Sequence, residues 1–250
     1  MNSQLALLFV YWIIYSFIGW ILETVYCSIL SGKFEERGFL NGPLVPIYGF
    51  GAMIILATLL PYAFNPVLVF ILGLILTSSL EYLTSYIMEK AFKMRWWDYS
   101  EMFMNINGRV CLLNSTMFGA LSLVLVEYIH PVIVDLVANI SIEYLNYIAF
   151  TLFVVVIIDF IASLRATLNL QSRLFELNNI KYEIDKLKSK LEGSYEIRLK
   201  ELNTSYDTLK ATLKSREVRL LKAFPRLKSE SLQEFIEDVQ DFYRIRKNKK

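Results

Sequence analysis

The chain has 250 residues, of which 55% are hydrophobic and 20% are charged, and its mean hydropathy is +0.41. A composition this apolar excludes an ordinary soluble domain of the same length, so we expect a membrane protein. The net charge of +2 hides an asymmetry, because 20 of the 26 Lys and Arg residues lie from Arg165 onward. The sequence therefore predicts a membrane domain, residues 1–168, followed by a solvated tail.

Five apolar stretches approach the length that a membrane-spanning helix needs, about 20 residues. They are residues 5–26, 44–62, 67–89, 110–129 and 147–168. The second is the shortest, and its start is the least well defined. We predict an all-α polytopic membrane protein with five transmembrane helices.

The positions of Lys and Arg predict the orientation of these helices. None precedes the first stretch, two lie in residues 31–43, four lie in residues 90–109, and the connections 61–66 and 130–146 have none. Cytoplasmic loops carry the excess of basic residues. We therefore expect the N-terminus outside and the C-terminus in the cytoplasm, in the cell inner membrane. An even number of spans would break this alternation.

Polar or small residues recur on one face of three predicted spans, at steps of three and four. The faces are Ser16, Gly19, Glu23 and Tyr26 in the first span, Ser78, Glu81, Ser85 and Glu89 in the third, and Cys111, Ser115, Gly119 and Ser122 in the fourth. The face on the fourth span consists of small residues and is expected to permit close helix approach. The fifth span carries Asp159 near mid-depth.

The segment of residues 95–115 is the densest polar stretch between two apolar runs. Its aromatic members are expected at the inner interface as anchors, and they are Trp96, Trp97 and Tyr99. Anchoring does not call for its polar members, which are Asp98, Asn107 and Arg109. We expect these three either to line a site or to form a salt-bridge network that pins the loop.

In the predicted orientation, Glu23, Glu81, Ser85, Glu89 and Arg109 all fall in the cytosolic half of the helix bundle. A lone carboxylate in the middle of a membrane costs roughly 3 kcal/mol, so such groups turn inward to partners, water or a ligand. Arg109 is the expected partner. These residues are predicted to form a substrate path or a structural polar cluster.

The loop of residues 32–48 contains three glycines and two prolines. Its candidate site residues are Asn41, Gly42, Pro43 and Tyr48. Glycines permit close backbone approach, so the loop is either re-entrant and substrate-facing or only a tight connection.

The tail has the composition of solvated helices. Apolar residues at steps of three and four over residues 169–224 predict a coiled-coil-like cytosolic helix or a helical hairpin. The register is interrupted by Lys181 and shifts near residues 193–194, so both alternatives remain open. Pro225 should end this part. Residues 225–250 predict a short amphipathic helix, capped by Ser231, and a basic tail suited to anionic lipid or to solvent.

No cofactor, metal site or catalytic residue is predicted. Cys27 and Cys111 lie in apolar context, and His130 is the single histidine, so no metal-ligand spacing occurs. The chain has no GxxxxGK[ST] phosphate-binding loop. Acidic residues interleave the basic ones of the tail, which disfavours nucleic-acid binding.

A series of ordered motifs between residues 9 and 119 resembles one family. The motifs are YSFIGW with Glu23, then GKF, RGFL and GP with PIYGFG, then Glu81 and Tyr82 with Ser85, WWDY and NGR. The series resembles the bacterial membrane family of type IV ABC-transporter permeases. The resemblance implies transport of a solute, coupled to a separate ATPase subunit.

Three functions remain open from the sequence. The first is a permease subunit for an unknown solute. The second is a membrane enzyme that acts on a lipid or isoprenoid substrate through buried carboxylates. The third is a membrane scaffold that recruits partners through its coiled coil. Five spans are few for an autonomous pathway, so we expect a homo-oligomer or hetero-oligomer assembled in membrane lipid through the C-terminal helices.

Overall fold

The computed structural model describes residues 3–188, 196–228 and 236. The helices are α1 (Ser3–Ser31), α2 (Pro46–Leu59), α3 (Pro66–Phe92), α4 (Leu112–Val124), α5 (His130–Ala138), α6 (Ile142–Lys188), α7 (Glu196–Ala211) and α8 (Ser215–Ala223). A short antiparallel hairpin joins β1 (Asn105–Ile106) to β2 (Val110–Cys111). The predicted helical class is confirmed, with this hairpin as an addition.

The chain divides into two compact units. The first unit comprises Met1–Ile87 and Asp98–Ile161, and the second comprises Met88–Trp97 and Ala162–Lys250. The short segment Met88–Trp97, which follows most of α3, therefore belongs with the tail. The sequence analysis included this segment in the membrane domain, residues 1–168. Its association with the tail is between residues far apart in the chain, so no local sequence pattern indicates it.

Within the described residues, four helices are long and apolar enough to cross a membrane. They are Ser3–Ser31, Pro66–Phe92, Leu112–Ala138 and Ile142–Ile184. The second predicted stretch forms a shorter helix, Pro46–Tyr62. Its length of about 25 Å falls below the hydrocarbon thickness of about 30 Å. Proline sets both limits, because Pro46 begins the helix and Pro61 lies in the 3₁₀ turn that ends it.

Glycines set the close approach of α1 and α2. A Cβ atom on Gly19 would overlap the ring of Tyr48. A Cβ atom on Gly49 would overlap the Ser16 hydroxyl and lie 2.7 Å from the carbonyl oxygen of Trp12. Only glycine lets two helix backbones come this near. As a result, α2 packs closely against α1 within the first unit.

Three of the four residues predicted to form a small-residue face on the fourth span lie on α4, whereas Cys111 belongs to β2. Ser115, Gly119 and Ser122 are buried on α4. Ser78 Oγ of α3 donates a hydrogen bond to Ser115 Oγ at 2.6 Å, and a Cβ on Gly73 would overlap Ser122. The face therefore packs against α3.

The fourth helical span is longer than the sequence predicted. Instead of ending at Ile129, it passes through a π-helical turn, Leu125–Ile129, and continues as α5 to Ala138. Pro131 lies in the first turn of α5, directly after the π-helical turn. Because proline has no backbone N–H, it removes one hydrogen bond from this continuous helix. His130 Nδ1 and the hydroxyl of Tyr15 on α1 lie 2.7 Å apart and join the two helices.

In the second unit, the chain after α6 returns to α6. Arg173 Nη1 donates a hydrogen bond to the carbonyl oxygen of Thr212 at 3.0 Å. One straight helix would separate these two residues by about 58 Å, so the alternative of a single long helix is excluded. The buried Glu217 carboxylate also lies 3.6 Å from Arg173 Nε.

The ends of the tail are only partly within the described residues. Helix α8 ends at Ala223, just before Phe224 and Pro225. The sequence predicted a helix end at this proline. The register shift near residues 193–194 lies outside the described residues. So do the predicted cap at Ser231 and the basic tail, whereas Ile236 is described and buried.

Candidate functional site

Glu81 on α3 lies in a buried polar cluster of the first unit. Its side chain is 7% exposed, and its Oε1 atom accepts a hydrogen bond from the Tyr99 hydroxyl at 3.2 Å. Its Oε2 atom is also buried and has no hydrogen-bond partner among the described residues. A buried acceptor without a donor is costly, so this oxygen marks an incomplete polar site.

Tyr99 and Glu23 complete the core of this cluster. Burial raises the pKa of the Tyr99 hydroxyl, and the charge of Glu81 raises it further, with a smaller contribution from Glu23. Tyr99 is therefore protonated at neutral pH and acts as the donor to Glu81. Glu23 also acts electrostatically on Glu81, so the structure brings these two predicted carboxylates into one site.

The cation that acts on Glu23 is Arg37, in the loop after α1. The sequence analysis assigned this role to Arg109 and used Arg37 for the predicted orientation and, in RGFL, for the family resemblance. The hydroxyl of Tyr48 interacts with both Glu23 and Glu81. One signal in the sequence could have indicated this pairing. Arg37 lies in the first basic loop, close to the end of the helix that carries Glu23.

Arg109 lies against α3, one turn beyond Glu81. It is 8% exposed, and its Nη1 atom donates a hydrogen bond to Ser85 Oγ at 3.2 Å. Its guanidinium carbon lies 5.7 Å and 5.4 Å from the ring centroids of Tyr82 and Tyr86. These distances are typical of cation–π contacts. Arg109 thus extends the polar cluster along α3.

The β-hairpin holds Asn107 and Arg109 in these positions. Asn107 and Gly108 both have positive φ, 53° and 66°, and Arg109 N donates to Ile106 O at 3.0 Å. This is the pattern of a type I′ turn, for which Asn-Gly is the preferred dipeptide. Asn107 Nδ2 donates to the Tyr82 hydroxyl at 2.9 Å. Sequence reasoning missed the hairpin, although Asn-Gly was its signal.

Asp98 has a local role within this loop. It is 8% exposed, and its Oδ1 atom accepts hydrogen bonds from the hydroxyl and the amide of Ser100, at 2.6 Å and 3.3 Å. The next residue, Tyr99, donates its amide to the carbonyl of Gly108 at 2.8 Å. Asp98 therefore shapes the turn that presents Tyr99 to Glu81.

A second polar contact joins the glycine-rich loop to α6. Asp159 Oδ1 accepts hydrogen bonds from the amide and the side-chain Nδ2 of Asn41, at 3.0 Å and 2.7 Å. Asp159 Oδ2 accepts one from the amide of Gly42 at 2.7 Å. A Cβ on Gly42 would lie 3.2 Å from that oxygen, which favours glycine there. Pro43 follows this contact and is exposed.

Trp96, which the sequence predicts as an interfacial anchor, is buried in the structure. Trp96 is 2% exposed, and its ring packs edge-on against Phe224 at 4.7 Å, inside the second unit. A bridge of backbone hydrogen bonds between Arg95 and Lys228, 2.7 Å and 2.8 Å, holds it there. Glu89 lies with this group, since its Oε2 is 3.0 Å from Arg95 Nε.

The two other predicted anchors differ from Trp96. Trp97 is half-buried. Tyr99 directs its hydroxyl to Glu81 rather than to an interface.

The chain was compared with models of protein families, with curated proteins and with solved structures. A family model described as "Putative ABC-transporter type IV" matches residues 10–164, more than half of the chain. The chain belongs to this family. The matched region contains the Glu81 cluster and Asp159, and it ends three residues beyond Ile161, where the first unit ends. No curated protein and no solved structure matches the chain. The family recognised from the motifs is confirmed.

Replacing Arg109 by alanine is expected to destabilise the protein by about 2 kcal/mol, because the hydrogen bond to Ser85 and two cation–π contacts are lost. In a thermal melt of the detergent-solubilised protein, this corresponds to a fall in Tm of about 4–8 °C. Lys93→Ala is the control, since Lys93 is exposed and its replacement should change stability by less than about 0.5 kcal/mol. Equal, small effects of both changes would show that the contacts of Arg109 contribute nothing.

Proposed function

We propose that the protein is the permease subunit of an ABC transporter, which moves a solute with the help of a separate ATPase. Membership of the ABC-transporter family supports this function. The observation that carries it is the buried Glu81 carboxylate, with one oxygen bonded to Tyr99 and the other without a partner among the described residues. Ionisable residues inside a membrane normally mark a substrate or ion pathway.

The polar cluster is the proposed solute path. Glu23 and Glu81 offer acceptors, Tyr48 and Tyr99 offer hydroxyl groups, and Arg109 supplies a buried positive charge nearby. Hydrogen bonds and charge of both signs would replace the hydration of a polar solute. The contact of Asp159 with Asn41 and Gly42 fixes the loop that leads into α2 and Tyr48.

We further propose that α2 is the fifth membrane helix, with the N-terminus outside and the C-terminus in the cytoplasm of the inner membrane. The distribution of Lys and Arg supports an odd number of spans. Helix α2 has a buried side formed by Gly49, Ala52, Ile55 and Leu59. A short helix packed against longer ones can remain in the bilayer despite a small mismatch in length.

The second unit is the proposed docking unit for the ATPase or for another copy of the chain. It contains the basic and acidic residues of the tail, and it also includes Met88–Trp97, which is the end of α3 and the first residues after it. A partner bound to the tail could therefore act on a connection between two membrane helices.

The test begins with purification of the full chain from its native membrane in mild detergent. An ATP-hydrolysing subunit should co-purify, and in reconstituted vesicles Glu81→Gln should reduce solute-stimulated ATP hydrolysis at least tenfold without lowering Tm. The control is Glu127→Gln, a carboxylate that is exposed on the Leu112–Ala138 span. Absence of an ATPase, or equal activity of the two variants, would overturn the proposal.

A further inference from the structure

The loop that precedes α4 displays three large apolar side chains. Phe103 is 78% exposed, Met104 is 66% exposed and Ile106 is 60% exposed. They lie within four consecutive residues of the first unit, at the start of the β-hairpin. An exposed apolar cluster of this kind marks a surface that contacts something less polar than water.

Hydrogen bonds of Asn105 hold this loop in a defined shape. Its Nδ2 atom donates to the carbonyl oxygens of Ser100 and Met102, at 3.1 Å and 3.0 Å, and its Oδ1 atom accepts from the amide of Gly108 at 3.0 Å. Met104 has a φ of 50°, a conformation that a non-glycine residue adopts only at a cost. The three apolar side chains are therefore presented by an ordered turn.

The turn lies next to a membrane-spanning helix. Ile106 pairs with Val110, and α4 starts two residues after Val110, at Leu112. At about 3.3 Å per strand residue, Ile106 lies roughly 7 Å from the level at which the helix begins. Leu112 and Leu113, the first residues of that helix, are 42% and 52% exposed. Exposed apolar side chains therefore lie on both sides of the buried strand β2, in the turn before it and at the start of the helix after it.

We propose that Phe103, Met104 and Ile106 insert into the headgroup–acyl boundary of the bilayer and anchor the hairpin there. The partner is the lipid surface, because the turn lies only two strand residues from the start of a helix that is long and apolar enough to cross a membrane. Unlike Trp96, which is buried, these three side chains are exposed and free to enter lipid. It also holds the hairpin at the level where Asn107 contacts Tyr82. The inference does not depend on transport or on an ATPase.

The test attaches an environment-sensitive fluorophore to Phe103→Cys, in a background in which Cys27 and Cys111 are replaced by alanine. The control is Glu101→Cys, an exposed position on the same loop. In phosphatidylcholine vesicles with brominated acyl chains, the label at position 103 should be quenched at least threefold more than the label at position 101. Aqueous iodide should give the reverse order. Equal quenching at both positions, or stronger iodide quenching at position 103, would overturn the proposal.

A second measurement uses the unaltered chain and so does not depend on the folding of the variants. A carbene reagent that partitions into the acyl region is photolysed in the reconstituted vesicles, and labelled residues are located by mass spectrometry. Residues 103–106 should be labelled, whereas Glu101 should not be. If the turn instead docks on a protein partner, residues 103–106 of the purified chain will remain unlabelled, and the lipid anchor is refuted.

Discussion

Replacing Gly49 by alanine is expected to lower the stability of the protein by about 3 kcal/mol, at the upper end of the usual effect of overpacking. The new Cβ would overlap the hydroxyl of Ser16 and lie 2.7 Å from the carbonyl oxygen of Trp12. Ser16 Oγ could rotate away, but a backbone oxygen of α1 moves only if the helix moves. Helix α2 would therefore have to shift away from α1, and the Tm in detergent should fall by about 6–12 °C.

Gly51 provides a matched control on the same helix. It is also buried, but the nearest atom to a Cβ there is Leu80 Cδ2, at 3.6 Å, which is an ordinary van der Waals distance. Because alanine is a better helix former than glycine by about 1 kcal/mol, Gly51→Ala should leave Tm unchanged or raise it slightly. A Tm for Gly49→Ala that matches the Tm for Gly51→Ala would contradict the close contact of α1 and α2.

The features that the sequence predicts well are those with a local pattern. Long apolar runs predict four of the spanning helices, and the spacing of Ser115, Gly119 and Ser122 predicts the face of α4 that packs on α3. Both follow from the period of the helix, which is a property of neighbouring residues. Two local signals could have been interpreted more fully. Asn107-Gly108 indicates the hairpin, and the prolines at 46 and 61 indicate a short α2.

The features that the sequence does not predict depend on distant partners. The carboxylate of Asp159 binds the Asn41 amide across 118 residues of chain. Arg37 is the cation that acts on Glu23, and the amide of Glu35 donates a hydrogen bond to Ser28 Oγ, which holds this loop against the end of α1. The sequence analysis noted Asp159 as a charge inside a span and Arg37 as part of a basic loop, but it named no partner for either residue. Tertiary packing determines which residue each of them contacts, and periodicity and composition do not predict that packing.

Trp96 is the clearest example, because a tryptophan near a membrane helix end is typical of an interfacial anchor. The structure instead buries its ring against Phe224 and Phe92, with centroid distances of 4.7 Å and 5.9 Å. The two interpretations predict different results in detergent. Loss of an anchor changes the depth of the protein in a bilayer and leaves the folded chain intact, whereas loss of a core side chain destabilises the unit that contains it.

Trp96→Ala is therefore expected to destabilise the second unit by about 3–5 kcal/mol, the usual cost of removing a buried aromatic side chain. Limited proteolysis in detergent should show cleavage after the basic residues of α7 and α8 at protease concentrations that leave the wild-type tail intact. Trp96→Phe keeps an aromatic ring beside Phe224 and should recover much of the resistance. Trp97→Ala, at the half-buried neighbour, is the control and should have a smaller effect. If Trp96→Ala and Trp97→Ala resist proteolysis as well as the wild type does, Trp96 does not join Met88–Trp97 to the tail, and the anchor interpretation must be restored.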